Sequence, residues 1–160
     1  MSSSPEQVTA SARSNRRPRR ILMGLAVAVV GALVLAGCYS TGQQQDVDLV
    51  NAYRRANNAG AVSPDSAAMA KAQAWSQHMA ATNVLEHTGG GSKLDTRGVS
   101  GWCSYWENVG YGSSVAAVHA AFKNSSGHRK NMLSPAHRIG TGVYQKGSRV
   151  WVTEIYLRNC

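Results

Sequence analysis

Hydrophobic and polar positions divide this chain into one uninterrupted apolar run, three helical stripes and a pair of β-like segments near its end. Val47, Val50 and Tyr53 recur at helical spacing, which predicts a helix over 47–57 stopped by Asn58-Ala59-Gly60. Met69, Ala72, Ser76 and Met79, with Trp75 beside them, form a second stripe that runs to Thr82. Ser63-Pro64-Asp65 ahead of it supplies a capping hydroxyl, a proline for the first helical position and an acid at the positive end of the dipole. The third stripe, Val115, Val118, His119 and Phe122, follows a cap at Ser113 or Ser114. A short helix is predicted around 129–133, ended by Ser134-Pro135. Residues 139–145 and 149–157 are β-like, with Lys146-Gly147-Ser148 as a hairpin turn. Gly140 and Gly142 in the first of these imply an element packed close to the backbone. Residues 93–105 have no clear period. Helices first and a hairpin last predict an α+β domain in which helices cover a small antiparallel sheet.

The uninterrupted apolar run covers 21–36 and follows Arg13, Arg16, Arg17, Arg19 and Arg20. A basic segment and then a short apolar stretch make a secretory signal. The run is shorter than the roughly 20 residues a membrane-spanning helix needs. It ends in Leu35-Ala36-Gly37-Cys38, which resembles the lipobox of bacterial lipoproteins. That resemblance implies a signal peptide over 1–37 and a lipidated Cys38 as the new N-terminus. An ordinary cleaved signal or an uncleaved anchor are the alternatives. Arg16-Arg17 leaves the export route open between the general and twin-arginine pathways. The expected order is then signal peptide 1–37, lipidated cysteine and polar tether 38–46, and domain 47–160. The expected location is the extracytoplasmic face of the cell membrane, with the lipid on Cys38 as the membrane partner.

The chain holds 17 Lys and Arg against 8 Asp and Glu, a formal charge of +9. Removal of the signal leaves a moderately basic remainder. Its cations are spread out without interleaved aromatics, which speaks against nucleic acid as a partner. Attraction to an anionic envelope polymer or lipid surface is the milder reading of that charge. Of the three cysteines, Cys38 is used by the lipid, which leaves Cys103 and Cys160. An even remainder in an exported chain points to a disulfide, with two free thiols as the alternative. Such a closure stabilises by about 4 kcal/mol on the chain-entropy model. With no Cys-x-x-Cys, its role is structural support and not redox chemistry.

Candidate chemistry lies in His87, Glu107 and His128. Two imidazoles and a carboxylate that converge can hold a metal, move a proton or line a binding cleft. A histidine near a helix N-terminus favours the neutral form that zinc requires. The same groups can equally form a network that pins loops. Ser125 and Ser126 beside His128 lack a Gly-x-Ser-x-Gly elbow and read as helix caps. Gly110-Tyr111-Gly112 has no βαβ unit around it, so it is not a dinucleotide motif. His119 reads as a satisfied core histidine and His78 as a surface or rim residue.

The ordered set of segments resembles the CAP superfamily, the SCP-like extracellular domains of cysteine-rich secretory and pathogenesis-related proteins. The resemblance is carried by 49–54 (LVNAYR), 72–76 (AQAWS), His87, 107–110 (ENVG), 125–133 (SSGHRKNML), 140–144 (GTGVY) and 150–156 (VWVTEIY). It implies an α-β-α sandwich with a cleft of two histidines and two glutamates that binds a divalent metal, often zinc. By carry-over the resemblance implies His87 and His128 as the histidines and metal ligands, and Glu107 as the first glutamate. The second glutamate falls at Ser125, and Phe122 stands where tryptophan is common. The expected function is a non-enzymatic module that binds a lipid or cell-envelope ligand in this cleft. The alternatives are a structural envelope protein and a zinc-assisted hydrolase with Glu107 as general base.

Overall fold

Ser40 starts the first helix, ahead of where the hydrophobic stripe begins. The computed structural model describes residues 39–160, so the expected signal peptide over 1–37 and the lipidation at Cys38 lie outside the described residues. Helix α1 spans Thr41–Ala56. Its capping box pairs Ser40 Oγ with the Gln43 N–H (3.2 Å) and Gln43 Oε1 with the Ser40 N–H (3.0 Å). The polar tether expected up to residue 46 is therefore corrected from Thr41 onward. Its polar side chains are spent inside the fold: Gln43 Nε2 donates to the Thr141 carbonyl at 2.7 Å, and Asp46 is fully buried.

The remaining elements are β1 (Ser63–Pro64), α2 (Ser66–Thr82), β2 (Ser104–Gly112), α3 (Val115–Asn124), α4 (Ser126–Met132), β3 (Arg138–Lys146) and β4 (Arg149–Arg158). The cap of α2 is Asp65, whose Oδ1 accepts from the Ala68 N–H at 2.9 Å. Ser63 and Pro64, expected to open that helix, instead form β1 and pair in parallel with Arg138 and Ile139. Proline is tolerated there because β1 is an edge strand and needs few donors. Ser114 caps α3, accepting from the Ala117 N–H at 3.1 Å.

The four strands form one mixed sheet in the order β1-β3-β4-β2. The hairpin β3–β4 and the β2–β4 pair are antiparallel, as expected of a small antiparallel sheet; β1 alone is parallel. Alternate residues of each strand face opposite sides. On one side Ile139, Val152 and Tyr156 pack with Val47 and Val50 of α1 and Val118 and Phe122 of α3. On the other, α2 lies directly on β3. A Cβ at Gly140 would stand 2.2 Å from the Ala68 carbonyl carbon, and one at Gly142 would stand 2.0 Å from the Ala72 oxygen. Helices on both faces make the α-β-α sandwich.

Strand β2 has no counterpart in the hydrophobic pattern, because Glu107 and Asn108 put polar groups on both of its faces. Its glycines serve packing: a Cβ at Gly110 would meet Phe122 Cε1 at 2.7 Å. The Cys103–Cys160 disulfide forms, with Cα atoms 4.9 Å apart, and ties the entry of β2 to the end of β4. Arg54 of α1 is buried and donates to the carbonyls of Gly60, Met132, Ser134 and Ala136. This fork holds α1 to the connection between α4 and β3. Among the described residues no helix is long and apolar enough to cross a membrane.

Candidate cleft at the free edge of the sheet

Because β2 is an edge strand, its outer margin is open to the two segments that flank the sheet. His87 arrives from the loop after α2, and His128 arrives in the first turns of α4. The loop reverses through Gly90 and Gly91, at φ +84° and +58°, conformations that suit glycine. Hydrogen bonds from the Gly90 N–H to the His87 carbonyl (2.8 Å) and from the His87 N–H to the Gly91 carbonyl (3.0 Å) close the turn.

His87 Nδ1 lies 2.8 Å from Glu107 Oε1. The Thr88 N–H donates to the same oxygen at 3.0 Å, and the Tyr105 hydroxyl donates to Oε2 at 3.4 Å. The Glu107 side chain has no exposed surface, whereas that of His87 is 29% exposed. A carboxylate acceptor at this distance requires the proton on Nδ1, which leaves Nε2 of a neutral His87 as the acceptor. Glu107 therefore fixes the tautomer and orientation of this partly exposed imidazole.

His128 is held from the other side. Its ring packs on Phe122 with centroids 4.7 Å apart. Burial lowers its pKa, and the neighbouring His87 adds to that shift, so the neutral form is favoured. Asn131 Nδ2 donates to the Glu107 carbonyl (3.0 Å) and to Asn108 Oδ1 (2.9 Å), and Asn108 Nδ2 donates to the His128 carbonyl (3.2 Å). These two asparagines clamp α4 to β2. Both lie in segments that carry the family resemblance, 107–110 and 125–133, but nothing in the residue pattern marks them as a clamp.

The three predicted residues thus line one cleft of about 420 Å³, together with Tyr105, Trp106, Ser125 and Lys130. The expected zinc set does not close here. Ser125, which lines the cleft, brings no carboxylate, both Glu107 oxygens already have donors, and among the described residues the ligand atoms of His87, Glu107 and His128 do not all come within 4.8 Å of one another. The expected pairing of His87 and His128 as metal ligands lacks the third protein ligand that a zinc centre ordinarily has.

The other histidines divide. His78 is a rim residue, as expected, stacked on Trp75 with ring centroids 4.5 Å apart. His119 is in the core as expected, but it is not satisfied: its Nδ1 has no hydrogen-bond partner.

Residues 47–156 match the family model described as the cysteine-rich secretory protein family. The chain is 32% identical over 122 residues to YkwD of Bacillus subtilis, an uncharacterized protein, across 72% of this chain and 47% of that protein. It thus spans about half the length of the curated relative it matches. An extracellular SCP-domain protein of Bacillus anthracis superposes with a TM-score of 0.64 at 30% identity, over 74% of this chain and 40% of that one. An outer surface protein of Borrelia burgdorferi shares the fold with a TM-score of 0.60 at 13% identity, over 73% of this chain and 95% of its own. With the family model matched from α1 through β4 and the sandwich in place, the chain belongs to the cysteine-rich secretory protein, or CAP, family.

Proposed function

We propose that the protein is a lipid-anchored extracytoplasmic CAP domain whose cleft binds a polar, anionic ligand of the cell envelope without transforming it. The carrying observation is the His87–Glu107 pair: a buried carboxylate at 2.8 Å holds a partly exposed imidazole in one orientation at a cleft that also presents His128 and Lys130. Two oriented nitrogens and an ammonium suit a carboxylate- or phosphate-bearing group, and Trp106 and Tyr105 offer an apolar wall for its carbon skeleton. The basic segment, apolar run and Cys38 support the anchor, and the extracellular Bacillus anthracis relative supports an extracytoplasmic setting.

The experiment is a titration of purified protein with soluble peptidoglycan fragments and with phosphatidylglycerol vesicles, read by calorimetry. Binding to one of them, weakened at least tenfold in a His87→Ala, His128→Ala double variant that keeps its melting temperature, is the expected result. No binding to either ligand overturns the reading.

The same pair supports a second reading, an acid–base hydrolase. In it the base is His87, since Glu107 is enclosed and its oxygens are already accepting hydrogen bonds. Turnover of peptide, ester or glycan substrates that disappears in His87→Ala would favour this reading over simple binding.

A further inference from the structure

We propose that Asp46, His119 and Glu154 form a second site, buried between α1, α3 and β4, that holds a divalent transition-metal cation of the zinc class. One ligand atom from each residue lies within 4.8 Å of the other two. Asp46 and Glu154 are fully buried and His119 is 4% exposed. Both Asp46 carboxylate oxygens, Glu154 Oε1 and His119 Nδ1 lack any hydrogen-bond partner. Among the described residues only one other buried side-chain atom, Ser134 Oγ, is in that condition, so the unpartnered groups are gathered at one point. Buried polar groups are ordinarily paired, and a cluster of unpaired ones calls for an ion or a water.

The donor set selects between those two. Two carboxylates and an imidazole offer oxygen and nitrogen donors and up to two negative charges, the ligand types that zinc-class divalent cations take. Calcium is a poorer match, since it takes six to eight oxygens. His119 keeps a buried ring nitrogen without a hydrogen-bond partner, which a neutral imidazole can offer to a metal. Two carboxylates buried side by side repel each other once ionised, and a cation held by both offsets that repulsion. The second oxygen of Glu154 is already fixed: Oε2 accepts from Asn108 Nδ2 at 2.9 Å and from the Tyr156 hydroxyl at 2.7 Å. This leaves Oε1 as the unpartnered oxygen, and the outer donors orient the carboxylate as partners behind a metal centre do. The burial of all three ligands makes the ion structural, taken up during folding, and its effect is to bind α1 and α3 to β4. The site is independent of the cleft ligand.

The test starts from purified wild-type protein, unfolded in guanidinium with EDTA, freed of chelator and refolded with zinc, with manganese or with no metal. Metal content is read by mass spectrometry after desalting, and stability by melting temperature. The expected result is one tightly held equivalent of zinc or manganese and a higher melting temperature than in metal-free protein. That equivalent persists in the His87→Ala, His128→Ala double variant and disappears in Asp46→Asn. The proposal is overturned if the refolded wild type retains no metal and melts alike in all three conditions. It is equally overturned if the metal follows the cleft histidines. The wild-type comparison decides even if Asp46→Asn fails to fold, and loss of cleft binding leaves it untouched.

Discussion

Asn108 and Glu154 stand opposite each other across the β2–β4 pairing, and Asn108 Nδ2 donates to Glu154 Oε2 at 2.9 Å. The same amide donates to the His128 carbonyl, and its oxygen accepts from Asn131. One fully buried side chain therefore joins the floor of the cleft to the carboxylate of the buried cluster. Asn108→Ala removes all three bonds and leaves Glu154 and Asn131 short of partners. It should destabilise by about 2–4 kcal/mol, measured by denaturant unfolding. It should also displace the His128 ring resonances in NMR spectra; unchanged His128 resonances would show that the clamp does not position that ring.

Arg54 makes a second prediction. Its guanidinium satisfies carbonyls at Gly60, Met132, Ser134 and Ala136 from inside the fold. Arg54→Met keeps much of the volume and abandons those acceptors, with an expected loss of about 3–5 kcal/mol. Arg54→Lys should recover little, because an ammonium cannot span the fork. Full recovery by lysine would mean that charge, not geometry, is what the site uses.

The helical stripes were legible because their periodicity is apolar: Val50, Met69, Met79, Val118 and Phe122 are all buried where spacing places them. The first turns of α1 were not, because Gln43 and Asp46 look solvated and find their surroundings only through tertiary contact; Thr141, which receives the Gln43 amide, lies 98 positions away. Strand β2 was hidden for a related reason, since Glu107 and Asn108 serve opposite faces and Gly110 gives way to Phe122. Family resemblance located His87, Glu107 and His128. It also covered Asn108 and Asn131, in the segments 107–110 and 125–133, but gave them no role; their work is to hold backbone carbonyls. The histidine in the third stripe was placed correctly, but the two acids that surround it come from α1 and β4, and no local pattern links them.

Glycine substitutions should separate by sign. Gly142→Ala drives a Cβ to 2.0 Å from the Ala72 oxygen in α2, backbone that cannot swing aside. The variant should lose well over about 3 kcal/mol or fail to fold. Gly127 lies in α4, and a methyl group added there would meet nothing within 4 Å. Gly127→Ala should therefore gain about 0.5–1 kcal/mol from helix propensity, read as a raised denaturation midpoint.

The disulfide supplies a fourth test. Cys103 and Cys160 are separated by 57 positions. A Cys103→Ala, Cys160→Ala double variant should lose about 2–4 kcal/mol without change in the cleft histidine resonances, since the bridge anchors strand ends and not the site. Loss of cleft geometry in that variant would assign the bridge a larger role.

Glu107→Gln tests what the buried carboxylate does. In the native arrangement it accepts from His87 Nδ1, the Thr88 N–H and the Tyr105 hydroxyl. Glutamine keeps the shape and one accepting oxygen but exchanges the other for a donor and removes the charge. With a weaker acceptor facing it, His87 should populate both tautomers, visible as a shift of its ring nitrogen resonances toward the average of the two. Stability should fall by about 1–3 kcal/mol, because the amide cannot accept from every donor now aimed at the carboxylate. If ligand binding depends on the oriented Nε2, affinity should drop while His128→Ala retains its own separate effect. If Glu107→Gln leaves the His87 tautomer fixed on Nδ1–H and binding intact, then the loop backbone sets the ring, and the carboxylate serves chiefly to cap Thr88.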